Sequence, residues 1–116
     1  MIGQMNILKQ YLYKLYESRL RESVPPDGRP RHVGIILDGN RRWAQQSATE
    51  FYEAYIAGGE KLQDVLKWCD VAGVEYVTAW MLSIDNLDRD PSEVEPLTQA
   101  IEETVRSIAA GQNRKV

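Results

Sequence analysis

The chain has 116 residues and a formal net charge of −3. That length suits one domain with a sizeable core, and the acidic balance argues against a general nucleic-acid binder, which needs a basic footprint. A single cysteine excludes an internal disulfide, and no apolar run approaches the ~20 residues that span a bilayer.

Met1 to Asn6 lacks the charged-then-apolar layout of a secretion signal, so a soluble cytoplasmic protein is expected. Residues 1–23 carry an amphipathic helix, Met5 to Glu22, with Ile7, Leu8, Tyr11, Leu12, Leu15, Tyr16 and Leu20 at helical spacing. Such a stripe docks on its own domain or, with Lys9, Lys14, Arg19 and Arg21 nearby, rests peripherally on a membrane or a partner. Residues 24–31 hold three prolines and a glycine and read as a linker. Val33 to Leu37 has no polar alternation and predicts a strand buried on both faces, as in parallel sheets. A helix starts near Asn40 to Ala44, with Trp43 expected in the core. Gln45 to Glu53 reads as a loop or a broken helix. A helix follows over Tyr55 to Ala72, with Gly73 just past its end. Val74 to Leu82 predicts a second strand, Ser83 to Pro91 a polar loop, and Ser92 to Ala109 a last helix. That helix opens on a Ser92–Glu95 capping box and carries a stripe of Val94, Leu97, Ile101, Val105 and Ile108. Residues 111–116 form a polar tail.

Two strands joined through a helix are parallel, with a right-handed crossover. The expected fold class is therefore α/β, a parallel sheet flanked by helices over residues 32–116. Two-stranded parallel sheets rarely stand alone, so further strands are expected from a longer chain or from a partner.

The crossover brings both strand ends to one side, where Asp38, Gly39, Asn40, Arg41 and Arg42 would face Ser83, Asp85, Asn86 and Arg89. Gly39 permits close backbone approach, and a helix start offers N–H groups to an anion. Arg42 and Arg89 can fork onto phosphate oxygens. Asp38 is a hard ligand suited to magnesium bridged to a diphosphate. The plainer reading is a turn with local side-chain bonds. Against it, Arg41 and Arg42 are misplaced cations at a helix N-terminus unless an anion binds there.

His32-Val33-Gly34-Ile35-Ile36-Leu37-Asp38-Gly39-Asn40-Arg41-Arg42-Trp43-Ala44 resembles the signature of the cis-prenyltransferases, the undecaprenyl diphosphate synthase family. Leu82 to Pro91 resembles that family's next motif. The resemblance implies Mg2+-dependent condensation of isopentenyl diphosphate with a short allylic diphosphate to a Z-configured product, by a homodimer. Carried across, Asp38 is catalytic and holds the metal, and Asn86 assists proton removal or orients the isopentenyl unit. Gly39, Asn40, Arg41, Arg42, Trp43, Ser83 and Arg89 contact substrate, with Trp43 packed under the site. The double arginine, Leu82, Leu87 and Tyr55 resemble short-chain members, and Met81 hints at a short product. Phe51 stands where many members carry an arginine, and Asp85 replaces a more usual glutamate. The chain has roughly half the family's length, and the isopentenyl-binding groups normally lie in the other half. The alternatives are a non-catalytic diphosphate-binding or partner subunit, and irregular, branched coupling of prenyl diphosphates.

Overall fold

The computed structural model describes residues 6–111 and divides into two compact units, Met1–Pro30 and Arg31–Val116. In the first unit α1, Ile7–Ser23, begins where the Asn6 side chain accepts a bond from the Leu8 N–H, supplying one of the donors a helix start leaves open. It ends at extended Val24, before Pro25 and a single 3-10 turn at Pro26–Gly28.

The second unit contains β1 (His32–Ile36), α2 (Asn40–Ser47), α3 (Phe51–Ala72), β2 (Tyr76–Trp80), α4 (Ile84–Leu87) and α5 (Pro91–Ala110). β1 and β2 pair in parallel, His32 opposite Tyr76 and Ile36 opposite Trp80. The sheet starts where the Glu75 and Tyr76 N–H groups both donate to the Arg31 carbonyl. There Arg31 also forks onto Glu75 at 2.8 and 2.9 Å, holding that carboxyl below its ordinary range.

The expected segment between α2 and α3 is more ordered than a loop. α2 runs on to Ser47, stops at Ala48 in the left-handed conformation (φ 49°), and α3 begins at Phe51, four residues before the expected start. Gly73 ends α3 in the same conformation, and its N–H returns to the Asp70 carbonyl, as a glycine past a helix end should. The cap of α5 also differs. Asp90, not Ser92, is the N-cap; its carboxylate accepts from the Ser92 N–H at 2.9 Å and from the Ser92 hydroxyl, and Pro91 fits the first helical turn.

The core lies between α3 and α5, where Tyr55, Leu97 and Ala100 are buried, with Phe51, Tyr52, Ile56 and Ile101 packed around them. Phe51 stacks on Tyr55 at 6.5 Å between ring centroids. The buried stripe of α5 is Glu93, Leu97, Ala100 and Thr104, while Val105 is exposed. Small residues prevail because the helices touch closely: a Cβ on Gly59 of α3 would collide with the Thr104 hydroxyl.

β1 is not covered on both faces. Val33, Ile35 and Leu37, with Val77, Ala79 and Met81, are partly buried, whereas the alternate residues His32, Gly34, Ile36, Tyr76, Thr78 and Trp80 are exposed. Ile36 is 74% and Trp80 60% exposed. The apolar run has the composition of a doubly covered strand, but among the described residues of this unit no element lies on its second face.

Candidate active site

Both strands end on the same side of the sheet. After β1, the Leu37 N–H still bonds the Trp80 carbonyl at 3.2 Å, and the chain then turns through Asp38 and Gly39. Gly39 has φ 88°, a conformation that penalises any side chain. It is the N-cap of α2 and has no side chain to offer the helix. The N–H groups of the first turn of α2 therefore remain open toward an acceptor, as an anion site requires. Asp38 turns one carboxylate oxygen back to the Gly39 N–H at 2.7 Å and keeps the other uncommitted among the described residues.

The end of β2 is built differently. The Ser83 hydroxyl accepts from the Asn86 N–H at 3.2 Å, and the Asn86 side-chain Oδ1 accepts from the Ser83 N–H at 2.9 Å. This reciprocal pair is a true capping box, the arrangement expected at Ser92–Glu95. It fixes the Asn86 side chain and leaves its NH2 group as the part able to reach a ligand.

One residue the sequence reading passed over joins the two ends. Glu93 is 6% exposed; its Oε1 accepts from Arg89 Nη1 at 2.8 Å and the Tyr55 hydroxyl at 3.1 Å, and it forms an ion pair with Arg41, whose Nε lies 2.9 Å away. A buried carboxylate is tolerable only when paired and hydrogen-bonded, and here both conditions hold. Burial, then the bond to Glu93, raises the Tyr55 hydroxyl above its ordinary value. A usable signal was present: Glu93 lies four residues after Arg89 and in helical step with Leu97, Ala100 and Thr104. Arg41 and Arg89 are thus half-neutralised, while the Arg42 guanidinium has no partner among the described residues.

Asp38, Gly39, Asn40, Arg41, Arg42, Ser83, Asn86 and Arg89 all line one cavity of about 490 Å³, with Tyr55, Met81 and Trp80. Trp43 does not. It is 46% exposed, not core, and borders a neighbouring groove instead. That groove, about 560 Å³, runs between β1 and α3 past Ile35, Leu37, Ala57, Leu62 and Val65, and shares Asp38, Gly39 and Asn40 with the first cavity. A polar chamber thus opens beside an apolar one. Among the described residues no three His, Cys, Asp or Glu side chains gather into a metal cage. A lone carboxylate beside anion-binding groups nevertheless fits magnesium, which binds through one or two carboxylates plus substrate phosphates.

The family profile for undecaprenyl diphosphate synthases, Prenyltransf, matches residues 36–116. The chain belongs to this family. As a cis-prenyltransferase family member it is 50% identical over 113 residues to a (2Z,6E)-farnesyl diphosphate synthase of Thermobifida fusca, covering 97% of this chain and 44% of that one. It is 41% identical to a short-chain Z-isoprenyl diphosphate synthase of Mycobacterium leprae, over 92% of this chain and 42% of the relative. The fold is similar to the crystal structure of lavandulyl diphosphate synthase from Lavandula x intermedia in complex with dimethylallyl diphosphate. The TM-score is 0.63 at 28% identity, covering 72% of this chain and 37% of that one. The family chain described here therefore spans about two fifths of the length of the curated relatives it matches. Its two-stranded sheet and open face agree with that proportion.

Proposed function

We propose that this chain supplies the allylic-diphosphate half of a cis-prenyltransferase site that elongates a short prenyl diphosphate to a Z-configured product. The observation that carries this reading is the meeting, in one cavity, of the uncapped start of α2, the uncommitted Arg42 and the free oxygen of Asp38. The α2 N–H groups and Arg42 hold the diphosphate, and Asn40 and the Asn86 NH2 group orient it. The apolar groove beside them receives the prenyl tail. Asp38 is the residue to hold magnesium, which, when bound, adds positive charge opposite the departing diphosphate. Arg42 and the helix N-terminus stabilise the same negative charge as the carbon–oxygen bond breaks. The terminal carbon of the isopentenyl double bond then attacks the allylic carbon, leaving positive charge on the methyl-bearing carbon, and loss of a proton from the adjacent CH2 forms the new double bond. Asn86 also assists proton removal or orients the isopentenyl unit, while the second diphosphate and homodimer formation are assigned to surfaces beyond this cavity. Relatives named as Z-farnesyl and short-chain Z-isoprenyl diphosphate synthases favour regular coupling over the branched coupling in the lavandulyl neighbour's name.

The open sheet face favours a second reading, in which the chain binds diphosphate and turns over only with a partner polypeptide. One pair of measurements tests both. Calorimetry with dimethylallyl diphosphate and Mg2+ is expected to show binding that Arg42→Ala and Asp38→Ala weaken by about tenfold or more, one charge-assisted contact each. Absence of wild-type binding defeats the proposal. Incorporation of labelled isopentenyl diphosphate by the chain alone supports the enzyme; binding without incorporation supports the partner reading.

A further inference from the structure

Asn40, the first residue of α2, borders both the polar cavity and the apolar groove. Its side-chain amide makes no hydrogen bond with any described residue, so another force sets its place. The neighbour is Gly58 on α3. A Cβ built there would stand 2.6 Å from Asn40 Oδ1, 3.0 Å from Nδ2 and 3.1 Å from Cγ, so its three nearest atoms all belong to this one amide. The amide therefore lies against the bare backbone of α3, with its donors and acceptor unspent.

Gly58 lies well inside a 22-residue helix, where glycine is a poorer helix former than alanine. Only the end of one flexible side chain opposes a methyl there. We propose that Gly58 is a positioning residue, whose missing side chain seats the Asn40 amide where it can meet the bound diphosphate. This rests on the diphosphate reading above. Gly59, the next residue, makes the contrast. A methyl there meets the buried, branched Thr104 of α5, which has nowhere to swing, so Gly59 serves helix packing.

The test is a double-mutant cycle on the full chain, read by calorimetry with dimethylallyl diphosphate and Mg2+ and by thermal melting. Gly58→Ala is expected to keep or raise the melting temperature while weakening binding about tenfold, the loss of one hydrogen bond to a charged group. In an Asn40→Ala background, Gly58→Ala is expected to leave affinity unchanged, because the displaced group is gone. Gly59→Ala is expected to lower the melting temperature. Unchanged affinity in Gly58→Ala, equal weakening in both backgrounds, or a Gly58→Ala chain that fails to fold overturns the proposal. If the wild type itself does not bind, the diphosphate reading falls and this inference falls with it; wild-type binding with an indifferent Gly58→Ala removes the inference alone.

Discussion

Between α3 and α5, Tyr55, Leu97 and Ala100 are sealed by neighbours from both helices. In the sheet, Ile36 and Trp80 stay 74% and 60% exposed on residues as apolar as any in the helices. The helical layer completes its own packing with small residues, a glycine and a buried carboxylate. The sheet completes hydrogen bonding between two strands but covers one face only. Stability and recognition are therefore drawn from different places. The anion-binding groups hang from α2 and from the Ser83–Arg89 segment, whereas the strands that aim Asp38 and Ser83 leave one face exposed.

The largest expected effect is at Leu97. Truncation to alanine should cost about 3 kcal/mol, from lost burial and the cavity left behind, measured by urea unfolding. Next is Glu93→Gln, which leaves two arginines facing a neutral group. Because Arg41 and Arg89 are partly solvated, we expect about 2 kcal/mol, less than for a fully buried pair. A cost below that of an ordinary surface change would mean that the cluster does not tie the two site segments together.

Tyr55 gives a smaller, pH-dependent effect. Its hydroxyl is held above the ordinary value of 10.0 in the folded chain. The unfolded chain therefore loses this proton first, and the stability conferred is complete below about pH 10 and declines as pH rises through the folded value. Urea midpoints followed from neutral to strongly alkaline pH should fall less steeply in Tyr55→Phe; identical slopes would count against the Tyr55–Glu93 bond. Smallest of all, Ile36→Ser should change stability by less than about 0.5 kcal/mol, as for an exposed position. A cost like that of Leu97→Ala would mean the face is covered in solution and would erase the contrast drawn above.

The site was legible where chemistry follows chain direction. An apolar strand that ends in Asp38-Gly39-Asn40 puts those residues at a sheet edge, and a right-handed crossover brings the Ser83–Arg89 loop beside them. It was illegible where three elements meet. Glu93 reads as one more charge on a helix until α2 and α3 bring Arg41 and Tyr55 to it. The stripe on α5 was read from its large residues, but the close approach at Gly59 selects Ala100 and Thr104 and leaves Val105 outside. Trp43 is expected in the core, yet eight residues of α2 bury only Ala44.

The placement of the tryptophans has an optical consequence. Trp80 borders the polar cavity, Trp43 borders the apolar groove, and Trp68 sits out on α3 with Lys61 5.9 Å from its ring centroid. These are the only three indoles in the chain. Inorganic diphosphate should disturb the emission of Trp80 alone, and a prenyl chain should add a signal from Trp43, with Trp68 as an internal standard. Single Trp→Phe variants would thus let fluorescence separate head-group entry from tail entry in one titration.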